Sequence, residues 1–282
     1  MKVLPFTIPK PKNDALILQE DKQPMFYGLL HQHEEIQISY IKKGTGSLLV
    51  GDAVTSFTEG AIFVLGSNVP HVFKSNGATN NTSHMLTVFF KKDSFGASFF
   101  DTEELQSLHS FFEHAPLGWK VKMANEGLQI LFQKLFKAEK LERFILFLQL
   151  LNLLNKVPKQ LLSSFPIQKK FSDLEGQRMG TIYTYTMNHF REKITLEEIA
   201  SEAAMTPQAF CRYFKKRTRK TYIEFLNELR IEEACSLLKN NTEMSITEIA
   251  EASGFVNISN FHRKFKNQIG MRPLNYQKQN RL

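Results

Sequence analysis

The chain has 282 residues, with 36 Lys and Arg against 28 Asp and Glu, a formal net charge of +8. This length allows two ordinary domains with proper cores, and the positive sign favours an anionic partner such as nucleic acid or a membrane surface. Two cysteines, Cys211 and Cys235, are too few for a disulfide framework or a structural zinc, and fit free thiols in a reducing cytosol.

Met1 to Asp14 is broken by Pro5, Pro9 and Pro11 and carries no apolar run of signal length. No stretch reaches the roughly eighteen apolar residues of a membrane span. A cytoplasmic protein without a membrane partner is expected.

From Met25 to Phe90 the hydrophobic period is two. Ile36, Ile38 and Tyr40 alternate with Glu35, Gln37 and Ser39, while Gly44, Gly46, Gly51-Asp52, Gly60 and Gly66-Ser67-Asn68 punctuate short runs. Short strands with such regular turn signals predict a small antiparallel barrel or sandwich. Inside it stand His31, His33 and Gln37 and, after Gly60, Pro70-His71. In one extended strand His31, His33 and Gln37 share a face. The two segments resemble the paired cupin metal motifs, where two histidines, a glutamate and a third histidine face the barrel interior. Three imidazoles would suit zinc, iron or copper, but Gln37, a neutral and weaker ligand, holds the carboxylate position. The expectation is therefore no metal and no cofactor. His31, His33, Gln37 and His71 are read as an effector pocket for an organic ligand, with Phe26, Ile38, Phe63 and Val72 as candidate apolar walls.

Between Lys91 and Lys170 the spacing turns helical: Leu105, Leu108 and Phe112, then Leu128, Leu131, Phe132, Leu135 and Phe136. Phe144 to Leu154 is apolar on nearly every side, so it is buried on more than one face, within the chain or between subunits. Pro158, Ser163-Ser164, Pro166 and Lys169-Lys170 read as a linker.

The last hundred residues contain one pattern twice. Ile199-Ala200 recurs as Ile249-Ala250, and Phe210, Arg212, Phe214 and Lys215 recur as Phe261, Arg263, Phe265 and Lys266. A repeat of this length is one supersecondary unit used twice. Thr195 with Glu198 and Ser245 with Glu248 form capping boxes, and Thr206-Pro207 and Asn257 start the second helix of each copy. Each copy thus reads helix, turn, helix, the arrangement that presents a recognition helix to a major groove. Glu175 to Leu282 holds 17 basic and 12 acidic residues, and Arg212 to Lys220 is a basic cluster fit for phosphates. Tyr222 to Leu238 reads as one linking helix with Ile223, Leu226, Leu229, Ile231, Ala234, Leu237 and Leu238 as its apolar stripe, roughly 25 Å long at about 1.5 Å per residue. It could hold two recognition helices near one DNA turn apart, about 34 Å.

Gly254-Phe255, Asn257, Ser259, Phe261, Arg263, Phe265-Lys266, Gly270, Pro273 and Tyr276, with Arg230, Ile231 and Ala234 before them, resemble the AraC/XylS transcription regulators. Arg219 and Gln277 depart from that pattern, which usually has glycine and arginine there. The resemblance implies an α+β multidomain chain: a cupin-like antiparallel β-barrel, usually metal-free, then a helical segment that often dimerises, then an all-α domain with two helix-turn-helix motifs. The boundaries are placed at 1–95, 96–170 and 171–282. The expected partners are double-stranded DNA, a second copy of the chain, a small-molecule effector and RNA polymerase. No catalytic residues are expected. Base contacts fall to Gln208, Cys211, Arg212, Ser259, Asn260 and Arg263, on the side opposite the anchoring phenylalanines. Phosphate contacts fall to Lys215, Lys216 and Lys266.

Overall fold

The computed structural model describes residues 14–26, 28–75, 82–123, 125–166, 171–240 and 243–279. Pro5, Pro9, Pro11 and Lys169-Lys170 lie outside them. The chain divides into two compact units, 1–53 with 57–176, and 54–56 with 177–282.

The strands are β1 (Ile17–Gln23), β2 (Ile36–Lys43), β3 (Gly46–Val50), β4 (Ala53–Phe57), β5 (Ile62–Leu65), β6 (His71–Ser75), β7 (Ser83–Phe90), β8 (Trp119–Val121) and β9 (Lys159–Leu161). They form a six-stranded sheet, β1-β7-β2-β5-β8-β9, and a three-stranded sheet, β4-β3-β6. Pairing is antiparallel, as the turn-rich sequence predicts. The barrel, however, is not closed. β8 and β9, contributed by the later helical region, extend the large sheet beyond β5.

Strand alternation explains two cores. Ile36, Ile38 and Tyr40 of β2 point to one side, where they pack with Ile62, Val64, Leu86 and Val88 against helices. Ile41, Phe63, Leu65 and Met85 point to the other and meet Leu48, Val50 and Phe73 of the small sheet. With both faces covered, the polar members of the alternation, Glu35, Gln37 and Ser39, are buried as well, and Gln37 borders an interior cavity.

The covering helices are α1 (His109–His114), α2 (Glu126–Lys137) and α3 (Lys140–Lys156). The stretch before α1 forms short 3-10 turns at Phe99–Asp101 and Glu103–Leu108. Asn125 caps α2 by accepting from the Leu128 amide at 2.9 Å. On α3, Phe147, Leu150, Leu151 and Leu154 are fully buried against the sheet, at about 1.5–3 kcal/mol of transfer free energy for each such side chain. Burial within the chain thus accounts for the apolar core of this helix, while Leu141 and Ile145 remain exposed.

The second unit contains α4 (Asp173–His189, whose first turn precedes the boundary), α5 (Leu196–Glu202), α6 (Pro207–Thr218), α7 (Tyr222–Asn240), α8 (Ile246–Ala252), α9 (Ile258–Ile269) and α10 (Pro273–Gln279). Both capping boxes are formed, at Thr195/Glu198 and Ser245/Glu248. Thr206 and Asn257 accept from the amides of Ala209 and Asn260. α7 spans the two repeats and is shared between their cores. At its start Tyr222 and Phe225 meet Phe214 edge-on or tilted. Toward its end Ile231, Ala234, Cys235 and Leu238 cluster with Phe261 and Phe265. Ile223, assigned to the apolar stripe by spacing, is instead exposed.

Candidate nucleic-acid interface and effector pocket

Residues 31–37 are not one strand: β2 begins only at Ile36, after a bend. A second device brings the histidines together. His31 and His71 form a two-way backbone bridge at 3.1 and 2.9 Å, and the Asn68 amide donates to the His33 carbonyl at 2.7 Å. Held this way, His31, His33 and His71 converge, with ring centroids 4.4 Å apart for His31–His71 and 5.0 Å for His33–His71. Gln37 completes the group, its Oε1 lying 2.9 Å from His33 Nε2 and 3.0 Å from His71 Nε2. Its amide nitrogen donates to Ser39 Oγ at 2.8 Å, and Ser39 meets Thr87 at 3.1 Å.

His31, His71 and Gln37 border a cavity of about 280 Å³. Its apolar wall is Phe26, Phe73, Met85 and Phe89, and Gln19, Asp21, Gln23 and Thr87 add polar groups. Of the expected walls only Phe26 is in place. Ile38 packs under the helices because it alternates with Gln37, while Phe63 packs between the sheets against Phe73, 5.8 Å away between ring centroids. Val72 likewise alternates with His71 and Phe73. Sequence reasoning missed β1, although Gln19, Asp21 and Gln23 stand at the period of a strand face. Gln32, between the two histidines, points the other way. It is fully buried, and its amide donates to the Phe171 carbonyl at 2.9 Å.

In the second unit, α6 buries Phe210, Phe214 and Thr218 and exposes Gln208, Cys211, Arg212, Lys215 and Lys216. On α9, Phe261 and Phe265 are buried, Ser259, Arg263 and Lys266 are exposed, and Asn260 is half-buried. Arg263 donates to the Asn260 side chain at 2.9 Å, which fixes the guanidinium along the helix. Within the basic cluster Lys220 is tied to Glu228 at 2.7 Å. Arg230 is a brace, donating to the carbonyls of Phe190 and Glu192 at 2.7 Å each. Burial pushes the Tyr222 hydroxyl, bonded to Thr186, and the Cys235 thiol each up to about 12. Neither is a titrating group at physiological pH. Beside Asn260 and Arg263 a groove is lined by Ile223, exposed Val256 and Lys193. Val256, an apolar residue in a turn, was a signal the sequence offered and spacing analysis passed over.

The two departures from the expected pattern find places. Arg219 ends α6 in the left-handed region, φ 60°, where Gly270 ends α9 at φ 83°. Gln277 is buried, so this position of α10 faces the core.

Residues 199–279 match the helix-turn-helix domain family, and residues 15–89 match the AraC-like ligand binding domain family. The chain is 25% identical over 256 residues to the uncharacterized HTH-type transcriptional regulator YdeC of Bacillus subtilis, covering 89% of this chain and 86% of that protein. It is 24% identical over 283 residues to the HTH-type transcriptional activator RhaS of Escherichia fergusonii, covering 93% and 92%. The DNA-binding domain of AdpA, solved in complex with a target DNA, is similar at 25% identity and a TM-score of 0.35, over 39% of this chain and 95% of that one. With a ligand-binding domain ahead of paired helix-turn-helix motifs, the chain belongs to the AraC family of DNA-binding transcription regulators.

Proposed function

We propose that one subunit reads two successive major grooves, α6 entering one and α9 the next, and that occupancy of the His31, His33, Gln37 and His71 pocket modulates this binding. The observation that carries the reading is the matched pair of capped, phenylalanine-anchored helices built on one shared helix, α7. Gln208, Cys211, Arg212, Ser259, Asn260 and Arg263 contact base edges, where arginine suits guanine and Gln or Asn suits adenine. Lys215, Lys216 and Lys266 contact phosphates and supply the salt-dependent share of affinity.

The domains are taken as 1–95, 96–170 and 171–282, although β8 and β9 of the middle segment join the sheet that carries the pocket. The pocket is concave, with an apolar wall of Phe26, Phe73, Met85 and Phe89 facing convergent polar groups, a combination that suits a small-ligand site. Any effector acts only through different affinities for two arrangements of the protein. The regulator works in the cytoplasm as a homodimer and meets RNA polymerase at its promoters; it binds rather than catalyses. Among the described residues no helix is long and apolar enough to cross a membrane. Selecting bound sequences from a random DNA library tests the reading. Two short half-sites about one helical turn apart are expected; a single half-site would overturn it.

A further inference from the structure

We propose that Val256 and Ile258, at the leading end of α9, read thymine by packing against its C5-methyl group in the major groove. This rests on the reading of α9 as a helix that enters that groove. The two repeats differ at one point. Residues 203–206 join α5 to α6 and residues 253–257 join α8 to α9, so the second turn is one residue longer. The Met205 and Phe255 amides donate to the Ala200 and Ala250 carbonyls at 2.9 Å each, which aligns the two turns to that point. Thr206 and Asn257 then cap their helices alike. Val256 is therefore the inserted residue, and it is 95% exposed. Turns ordinarily carry residues that shape the backbone or hydrogen-bond to it; the valine side chain has no polar atom with which to do so.

Asn257 is extended, with φ −121° and ψ 114°, and residues on either side of an extended residue point the same way. Val256 and Ile258, itself 38% exposed, thus make one apolar tip. The Asn257 side chain turns back to accept from the Asn260 amide at 2.9 Å and so stays out of it. Val256 borders the same groove as Asn260, Arg263 and Lys264, which puts the tip beside side chains proposed to read base edges. Charge names the occupant. No Asp or Glu follows Glu251, while Arg263, Lys264, Lys266, Arg272, Lys278 and Arg281 do. An apolar tip in so one-sided a basic field suits a polyanion that also presents apolar points. On duplex DNA that point is the thymine methyl, which stands on the major-groove edge of the base. Recognition helices contact bases through their N-terminal residues, which is where the tip stands.

The test replaces each thymine of the library-selected site in turn by deoxyuridine, which keeps every hydrogen-bonding group of the base edge and lacks only the methyl. With full-length protein, affinity should fall about fourfold at one or two thymines of the α9 half-site, the equivalent of about 0.8 kcal/mol for one buried carbon. The double variant Val256→Ser, Ile258→Ser should bind the thymine site more weakly and no longer distinguish it from the deoxyuridine site. Deoxyuridine effects in the α6 half-site should stay as they were. Val256→Ser alone, at the more exposed position, should lose part of the discrimination and carries the test if the pair disturbs the fold. An α9 half-site without thymine, deoxyuridine tolerated throughout it, or discrimination that survives in the double variant overturns the inference. Unchanged DNA binding by the double variant, with reduced transcription from a cognate promoter, overturns it too and gives the tip to a protein partner. Arg263→Ala separates these failures from failure of the groove reading. If that change weakens the α9 half-site while the methyls do not matter, methyl reading falls alone. If changing Arg263 and scrambling the half-site both leave affinity unchanged, α9 is not in the groove and both readings fall.

Discussion

Side chains divide the labour on each recognition helix by position. Arg212 and Arg263 stand one helical face away from the phenylalanines that anchor α6 and α9. Arg212→Ala and Arg263→Ala should each cost about 1–3 kcal/mol at the selected site and relax preference at one or two bases. Lys216→Ala should weaken all sequences alike and lower the salt slope by roughly one ion. Equilibrium titrations on matched and scrambled DNA over a salt series separate the two. The turns make a second residue-scale contrast. Gly254 has φ +89°, and an added Cβ would lie 2.6 Å from the Phe190 oxygen and 2.8 Å from Arg191 Cα. Gly254→Ala should therefore cost roughly 1–3 kcal/mol from backbone strain alone, and more from the clash. In the first copy Ala204 accepts φ 53°, a conformation that costs an L-residue about 1–2 kcal/mol. Ala204→Gly should stabilise the protein by up to about 1 kcal/mol, because glycine's own entropic cost offsets part of the relief. Denaturant midpoints of the two variants should move in opposite directions.

At the scale of elements, the helical half was legible because its signals are local. Capping boxes, a proline at the first helical position and i, i+4 phenylalanines act within one turn, and the structure forms all of them. The first unit was legible only in part. Alternation revealed strands, but β8 and β9 are three residues each and are recruited from distant sequence, so no local pattern announces that the sheet stays open. The pocket histidines were found by motif, whereas β1, Ile17–Gln23, escaped because only its first two residues are apolar and the rest offer no alternation. Ile223 misled for the converse reason: spacing marks a face, and only packing says whether the face is covered. The element that tests the DNA reading is α7. If it sets the separation of α6 and α9, inserting five base pairs between half-sites should remove most of the gain of two-site over one-site binding. Inserting ten or eleven should restore little, since a rod about 28 Å long cannot reach a further turn. Competition titrations with spacer variants measure this directly.

For the whole molecule, assembly follows from what α3 leaves uncovered. Its inner face is consumed by the core, and Leu141 and Ile145 remain on the outer face. Full-length protein should sediment as a dimer and residues 171–282 as a monomer. A full-length chain that stays monomeric at high concentration would assign those leucine and isoleucine side chains to solvent. Replacing both by Lys should dissociate the dimer without unfolding it, since neither contributes to the buried cluster beneath.

The two cysteines carry a practical consequence. Cys211 is exposed in the middle of α6, while Cys235 is buried in α7 with its thiol pushed up to about 12. Only a thiolate attacks an alkylating reagent, so the protein comes with one addressable label and one silent one. Intact-mass analysis after brief iodoacetamide treatment should show a single adduct on the free protein and protection of Cys211 when DNA fills the groove against α6. A second adduct should appear only on unfolding. The helix proposed to read the sequence would thus report its own occupancy, and the burial of Cys235 provides an internal gauge of whether the domain under it is intact.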